Sequence, residues 1–515
     1  MLARVWTFAI DGLESCQVSV EVDIRAGLPG FSIVGLGDAA VREARERVRS
    51  ALLNSGFQFP SRRITANLAP ADLRKAGPGF DLAIACGVLA ASGQVPAAAL
   101  ADCAVFAELS LGGQLRGCRG TLAVAEATRR AGLRRLILAR PRASEAALVD
   151  DLGIAGLSTL REVAELLDGG SPPPLPEARR CDPAPQDSAL DLADVRGHSF
   201  AIRALTVAAA GGHNLLLWGP PGTGKTMLAR RLPSILPPLT PGEAVEVTRI
   251  YSITGHHDQD GLITRRPFRS PHHTISAAGL VGGGPLLAPG EASLAHHGVL
   301  FLDELSEFAR PSLEALRQPI EEGRVAIVRG QRTAIYPTEF MLVASSNPCP
   351  CGHAGSERCR CTEADLARHR RRLSGPLLDR IDLLVPMQRP AVAQLRGPPI
   401  TTSARAGSLV AAARERQHAR LGPEGPPSSG GLPGACNASL GPRLLARHAR
   451  LDDAAETTLG DAYQRGTLSA RAHHRVLRVA RTVADLAPSD RVQREHVLEA
   501  LALRQDDALD RPGAA

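Results

Sequence analysis

Apolar and polar residues first alternate with a period of two: Val18-Ser-Val-Glu-Val-Asp-Ile24 is the pattern of a half-buried strand. From Asp38 to Asn54 the period lengthens. Val41, Val48 and Leu52 share one face and arginines cover the other, which predicts an amphipathic helix. Gly112-Gly113 reads as a hairpin turn between Phe106–Leu111 and Gln114–Arg116, Leu122–Ala131 as a helix and Arg135–Ala139 as a short strand. Residues 1–168 therefore predict one α/β domain. Residues 169–190, with Ser-Pro-Pro-Pro-Leu-Pro-Glu and Pro-Ala-Pro-Gln, predict a Pro-rich linker. From 191 to 388 strands and helices alternate as in a parallel α/β sheet. Residues 389–434, rich in Pro, Gly and Ser, predict a connection; 435–515 are helical by pattern, with segments Leu444–Leu451, Asp453–Arg465, Ala470–Leu486 and Val492–Leu503. No internal repeat is visible.

The composition, 44% apolar and 22% charged over 515 residues, is that of an ordinary globular chain. No apolar run approaches the ~20 residues of a membrane span. The start, Met-Leu-Ala-Arg-Val-Trp, lacks the apolar core of a secretory signal, so the chain reads as cytoplasmic and without a membrane partner. A net charge of +7 favours a polyanion, but only weakly, because no basic tail concentrates it. The basic residues are uneven in another way: of 60, only Lys75 and Lys225 are lysines.

Lys225 lies in Gly219-Pro-Pro-Gly-Thr-Gly-Lys-Thr226, a G-x-x-x-x-G-K-T phosphate loop in which Gly219, Gly222, Thr223, Gly224, Lys225 and Thr226 are the nucleotide-binding candidates. A compact ammonium enters such a backbone nest where a wider guanidinium does not. The strand Leu215–Trp218 before it and the helix beginning at Lys225 give the context the motif needs. The Thr226 hydroxyl is placed to ligate Mg²⁺. Gly298-Val-Leu-Phe-Leu-Asp-Glu304 is an apolar strand ending in two carboxylates, with Asp303 expected to hold Mg²⁺ and Glu304 to orient or deprotonate the attacking water. A third strand, Phe340 to Asn347, ends in a side chain that can touch the γ-phosphate or serve only as a turn residue before Pro348. Ser374-Gly-Pro-Leu-Leu-Asp-Arg-Ile-Asp382 presents Arg380 after an apolar pair.

These elements resemble an AAA+ ATPase of the magnesium-chelatase-like branch, and more narrowly the ComM/YifB family, over almost the whole chain. The carrying motifs are Gly27-Leu-Pro-Gly-Phe-Ser-Ile-Val-Gly35, Asn67 to Lys75, Arg269-Ser-Pro-His-His273, Asn347-Pro-Cys-Pro-Cys-Gly352 and Ser374 to Asp382. The resemblance implies an AAA+ parallel sheet with a helical lid, preceded by a Lon-protease-like domain of the ribosomal-protein-like α/β fold. It matches Asn347 to the sensor-1 position, Arg380 to the arginine finger and Arg471 to the sensor-2 arginine. It further implies a homo-hexameric ring using ATP and Mg²⁺, and a helicase driving branch migration of single-stranded or branched DNA in natural transformation.

The expectations for DNA contact rest on two inserts. One, from Tyr251 to Ala288, contains Arg265, Arg266, Arg269, His272 and His273; the other, Arg324 to Tyr336, reads as a β-hairpin whose tip offers Arg329 and Arg332 to DNA phosphates. The resemblance matches Lys75-Ala-Gly-Pro-Gly-Phe-Asp81 to the protease nucleophile turn and the region of Leu122 to the base position; the first has no Ser and the second no Lys, which argues against proteolysis. It is left as a DNA guide, a partner platform or a ring-stabilising collar. Lys75 itself reads as a surface charge or as a contact closing that turn. Cys349, Cys351, Cys359 and Cys361 can surround a tetrahedral Zn²⁺, with His353 and His369 as alternates and disulfides or reduced thiols as the rival. A chelatase-like ATPase remodelling a protein partner is the alternative to a DNA motor.

Overall fold

A computed structural model describes residues 1–35, 37–174, 190–255, 261–284, 287–330, 332–354, 357–373, 377–421, 436–465 and 468–504. Most of the Pro-rich linker, residues 374–376 of the Arg380 motif, Gln331 of the hairpin tip and Cys181 lie outside the described residues. The chain divides into two compact units, Met1–Asp182 with Val245–Ile263, and Pro183–Ala244 with Thr264–Ala515.

The first unit is built on β1 (Leu2–Asp11), β2 (Glu14–Arg25), β3 (Gly30–Val34), β4 (Arg63–Ala69), β5 (Cys103–Phe106), β6 (Arg135–Ala139) and β7 (Gly153–Leu157), in the order β3-β4-β2-β1-β5-β6-β7. Its helices are α1 (Ala39–Asn54), α2 (Asp81–Ala91), α3 (Thr121–Arg130) and α4 (Leu160–Leu167). Asp38 caps α1 by accepting the Val41 N–H at 3.0 Å. α2 is apolar all round and wholly buried against β1 and β2. Gly87 allows that approach, since a Cβ there would stand 2.4 Å from Val22 Cγ2. The one acid at the start of α2, Asp81, is fully buried; burial pushes its carboxyl up, while Arg47 opposes this with hydrogen bonds of 2.7 and 3.0 Å.

Lys75 is not a surface charge. It is fully buried and its Nζ donates to the Pro70 carbonyl, while Asp38 accepts the Gly77 N–H at 3.0 Å, so both groups close the turn before α2. Burial pushes the Lys75 ammonium down. The 245–263 excursion has no counterpart in the boundaries read from the sequence. Val245 packs near Phe8, Phe106 and Leu122, Arg249 pairs with Glu126 at 2.6 Å, and Ser252 accepts the Gly120 N–H at 3.1 Å.

The second unit carries an all-parallel five-stranded sheet of β8 (Leu215–Trp218), β9 (Phe268–Arg269), β10 (Val299–Leu302), β13 (Met341–Ser346) and β14 (Leu383–Pro386), in the order β9-β10-β13-β8-β14. β11 (Arg324–Arg329) and β12 (Arg332–Pro337) form a separate hairpin. All four residues of β8 and of β10 are buried, as expected for strands covered on both faces. The principal helices are α5 (Ser199–Gly211), α6 (Lys225–Ala229), α7 (Arg317–Glu322), α8 (Glu363–Leu373), α9 (Ser403–Leu421), α10 (Pro442–His448), α11 (Asp453–Gln464), α12 (Ala470–Leu486) and α13 (Arg494–Ala502).

α9 corrects the reading of 389–434 as a connection. Ala406, Val410, Ala413, Gln417 and Leu421 recur at helical spacing and are buried against α5 and α12, a stripe masked by the Pro and Gly around it. α9 also completes α5, because Arg414 and Gln417 donate to the Ala209 and Ala210 carbonyls (2.9 and 3.0 Å) that the helix end leaves unpaired.

Asn214, just before β8, holds three strands in place. It accepts the Leu342 N–H at 2.8 Å, donates to the Arg380 carbonyl at 2.9 Å, and its own carbonyl accepts from Asp382 and Leu383. Replacing Asn214 by Ala leaves a buried donor and acceptor unpaired and should cost about 1–3 kcal/mol, read as a lowered midpoint in urea unfolding.

Candidate nucleotide site and cysteine cluster

The register of the parallel strands sets the site. Trp218 pairs with Ser346 and Leu302 with Ala344, so the residues that follow β8, β10 and β13 emerge together at one sheet edge. The loop after β8 turns on Gly222 and Gly224, both at positive φ (75° and 85°). Gly219 is needed for a different reason: a Cβ there would stand 2.1 Å from the Met387 carbonyl oxygen.

Lys225 folds back into this loop. Its Nζ donates to the Gly219 and Pro220 carbonyls (2.7 and 2.9 Å) and to Asn347 Oδ1 at 3.1 Å. With 8% exposure, burial pulls the ammonium down to about 8 against the upward pull of Asp303 and Glu304. Thr226 donates to Asp303 Oδ2 at 2.8 Å, and Thr223 to the Pro220 carbonyl at 2.9 Å. Asp303 Oδ1 accepts from Ser345 Oγ and, at 3.1 Å, from the Glu304 N–H. A hydroxyl and a carboxylate side by side are hard oxygen donors of the kind Mg²⁺ takes, so the residues fit that ion.

Glu304 sits in the left-handed region (φ 53°, ψ 53°), a conformation costing a Glu about 1–3 kcal/mol. Its N–H is held by Asp303 and by Ser345 Oγ at 3.2 Å, its side chain is half exposed, and His273 Nδ1 lies 3.8 Å from Oε2. Ser345 was not singled out from the sequence, where the run Ser345-Ser346 before Asn347 was the only local signal, and His273 was named only in a family motif and in the insert expected to meet DNA.

The five candidates form two hydrogen-bonded groups, Lys225 with Asn347 and Thr226 with Asp303 and Glu304, which meet where Lys225 and Thr226 are neighbours in the chain. Arg380 and Arg471 stand outside both, each with its own acidic neighbour. Arg380 forms an ion pair with Glu321 of α7, and Arg471, exposed on the first turn of α12, lies 3.6 Å from Asp379. Arg475, one turn further on, stands 3.8 Å from buried Asp382. Desolvation opposes the Asp382 charge, but His213 and the nearby arginines outweigh it and hold the carboxyl below its usual range. His213 joins Asp382 (3.4 Å) to Thr482 of α12 (2.8 Å), tying the strand beside the phosphate loop to the carboxy-terminal helices.

The insert 251–288 does not supply the expected set of basic groups. Arg266 is buried, pairs with Glu243 at 3.2 Å and donates to the carbonyls of Pro237 and His297; Arg269 binds Glu291 through two bonds of 2.6 and 2.8 Å. Both serve the fold. At the β11–β12 tip, Arg329 is exposed and Arg332 half-buried, and Val328 and Ile335 expose apolar surface on the arms.

The four clustered thiols converge. Cys349 Sγ is 3.3 Å from Cys351 Sγ and 3.9 Å from Cys359 Sγ, Cys351 and Cys359 are 3.7 Å apart, and all four including Cys361 lie within 4.8 Å of one another. Sulfurs about 2.3 Å from a tetrahedral Zn²⁺ stand about 3.8 Å apart, so the cluster fits that ion. The Ala354 N–H points at Cys349 Sγ (3.2 Å), and N–H groups of Arg360 and His353 draw the Cys351 thiol down to about 6. Neither alternate histidine is one of the four converging groups; His369 Nε2 bonds the Asn347 carbonyl at 2.9 Å instead. The cluster also abuts the phosphate loop, since a Cβ on Gly352 would stand 2.6 Å from Pro221 Cδ.

The parallel sheet, with the phosphate loop after β8, the paired acid after β10 and β13 between those two strands, is consistent with the magnesium-chelatase-like AAA+ class. Three family models agree: "Magnesium chelatase, subunit ChlI" matches residues 191–395, "Subunit ChlI of Mg-chelatase" 20–142, and "Magnesium chelatase, subunit ChlI C-terminal" 401–504. The chain is 44% identical over 508 residues to "Competence protein ComM" of Haemophilus influenzae (98% of this chain, 97% of that protein). It is 43% identical over 510 residues to "Uncharacterized protein YifB" of Salmonella typhimurium (99% and 98%). A shorter match, 28% over 163 residues, reaches 31% of this chain and 23% of the "Magnesium-chelatase 67 kDa subunit" of Chlorobaculum parvum. The chain belongs to the ComM/YifB family of magnesium-chelatase-like proteins. Membership implies use of ATP and Mg²⁺. Among the described residues no helix is long and apolar enough to cross a membrane.

Two outcomes follow from the geometry. Burial holds the Lys225 ammonium down at about 8 and bound phosphates raise it, so ATP binding should take up protons, and more of them at about pH 8.5 than at pH 7. Calorimetry in buffers of different ionisation enthalpy reads this directly, and Lys225→Ala should abolish it. The folded protein alone should gain stability from this group as pH rises from about 8 to 10, because the unfolded lysine then binds more protons. Separately, the purified protein should carry one Zn²⁺ per chain by elemental analysis, and Cys359→Ser should lower that content and the thermal midpoint together.

Proposed function

We propose that this protein is an ATP-driven DNA motor of the cytoplasm, working as a homo-hexameric ring on single-stranded or branched DNA, with helicase or branch-migration activity in the uptake and recombination of incoming DNA. The observation that carries the ATPase part is the buried Lys225 ammonium, held by carbonyls and Asn347 beside the Thr226–Asp303 pair. The DNA part is supported by the name of the competence-protein relative and by the exposed hairpin tip at Arg329.

Lys225 exchanges the Gly219 and Pro220 carbonyls for the β- and γ-phosphates, and the loop N–H groups with Gly219, Gly222, Thr223 and Gly224 wrap them. Thr226 and Asp303 would hold Mg²⁺, which when bound offsets phosphate charge. Glu304 takes the proton of the attacking water, and Asn347 holds that water or a γ-phosphate oxygen. Arg380 and Arg471 act on the γ-phosphate, at least one of them across a subunit boundary. The Glu321 and Asp379 contacts then belong to the isolated chain and exchange for phosphate in the ring. Arg329 and Arg332 track the DNA backbone. The Lon-protease-like amino-terminal unit is proteolytically inactive, and Zn²⁺ on Cys349, Cys351, Cys359 and Cys361 stiffens the loop carrying Asn347.

A protein-remodelling ATPase is the second reading, favoured by the match to a magnesium-chelatase subunit. ATP hydrolysis measured with and without single-stranded and branched DNA separates the two. The motor reading expects stimulation by DNA that Lys225→Ala abolishes, whereas indifference to every DNA form supports remodelling. Glu304→Gln should lower turnover about 10²–10⁴-fold while ATP still binds. Arg380→Ala should cost about 10³-fold or more, with activity partly recovered in rings mixed with Lys225→Ala subunits if the arginine works across the boundary.

A further inference from the structure

The arginine face of α1 has no role in the nucleotide site, yet it lines a cleft. Arg45, Arg49 and Leu53 follow one another at four-residue spacing on α1, and opposite them stand Phe31, Phe59 and Arg62, enclosing about 460 Å³. That volume falls in the about 300–1,000 Å³ range of binding pockets. Its floor is aromatic: the Phe31 and Phe59 ring centroids are 5.7 Å apart at 58°, and the Arg49 guanidinium lies 5.7 Å from the Phe59 centroid. Leu53 leaves 51% of its surface exposed.

The lining carries three arginines and one acid, Glu46, which pairs with Arg45 at 3.1 Å; Arg49 and Arg62 have no acidic partner among the described residues. Two exposed, unpaired guanidiniums beside two tilted rings ask for a ligand that is both anionic and planar. Inorganic phosphate or an acidic peptide answers only the charge. A duplex answers the charge but keeps its bases stacked on each other. A single strand offers phosphates and unstacked bases together.

We propose that this cleft of the amino-terminal unit binds single-stranded DNA, with a base against Phe59 and Phe31 and the flanking phosphates on Arg49 and Arg62. The proposal rests on the DNA-motor reading and gives the amino-terminal unit its part in it, gripping the strand apart from the hairpin. Arg49 moves off the Phe59 ring to a phosphate or lies on the base's other face, as guanidinium planes stack on bases.

Fluorescence anisotropy of the full-length protein with labelled oligothymidine, repeated with a duplex of equal length, tests this. Phe59→Leu keeps the apolar volume and removes the ring, so single-strand binding should weaken about five- to tenfold and duplex binding should not. Arg49→Gln/Arg62→Gln should lower the slope of log K against log salt by about 1.4, at about 0.7 per lost phosphate contact, between about 50 and 200 mM salt. DNA-independent ATP hydrolysis should match the parent in both, which also certifies folding. An iododeoxyuridine oligonucleotide should cross-link to the peptide containing Phe59. If the parent binds single strands and both variants bind them equally well, the cleft assignment is overturned and the DNA reading stands. Equal weakening of duplex and single strand in Phe59→Leu overturns base stacking. If the parent binds no DNA, the motor reading falls and the cleft assignment with it.

Discussion

A buried ammonium organises the nucleotide unit. Lys225 is nearly out of contact with water, and its downward shift from 10.5 to about 8 means that burial disfavours the charged form relative to the neutral one by about 3 kcal/mol. The protein tolerates this because two loop carbonyls and Asn347 accept its three protons. Those acceptors come from different strand ends, so the ammonium can be satisfied only when β8 and β13 lie in their observed register. The same arrangement makes the site responsive to anions, because phosphates relieve the cost that the backbone only partly offsets.

Around that charge, most polar side chains serve to fix strand ends relative to one another. Asn214 spans β8, β13 and the Arg380 segment, and His213 carries the link through Asp382 to Thr482. On the other side, His369 holds the Asn347 carbonyl, and the Gly352 turn of the cysteine cluster rests on Pro221 of the phosphate loop. A change at the nucleotide therefore meets two physical connections, one toward the helices that carry Arg471 and one toward the thiols. Glu304, strained at positive φ, turns its carboxylate toward His273.

The arginines show why bulk charge is a poor guide to partners in this chain. Arg266, Arg414 and Arg481 are buried, and their guanidiniums satisfy carbonyls and carboxylates inside the second unit. A guanidinium presents five donors in a rigid fork, so it can complete a helix end or a loop as well as it can meet a phosphate. What distinguishes Arg49 and Arg62 is the lack of such an acidic partner beside an aromatic floor, a property of neighbours and not of residue type.

The local parts were legible because their physics is local. The helix read from Asp38 to Asn54, the strand Arg135–Ala139, the helix Ala470–Leu486 and the glycine turns of the phosphate loop depend on spacing within a few residues, and the structure has all four. The four thiols were readable as a possible ligand set from their spacing, but thirteen extended residues could hold them about 40 Å apart, so their convergence belongs to the fold. What the sequence left open depends on neighbours distant along the chain. Lys75 stood open between a surface charge and a turn contact until the turn closed over it, Arg266 and Arg269 looked like ligands for phosphate until Glu243 and Glu291 met them, and α9 looked like a connection until its apolar stripe found α5. Residue type and period determined which elements and which chemistry this chain can form. Only tertiary packing decided which charges are neutralised inside and which remain for a partner, because an ion pair between residues far apart in the chain leaves no mark on the pattern around either one.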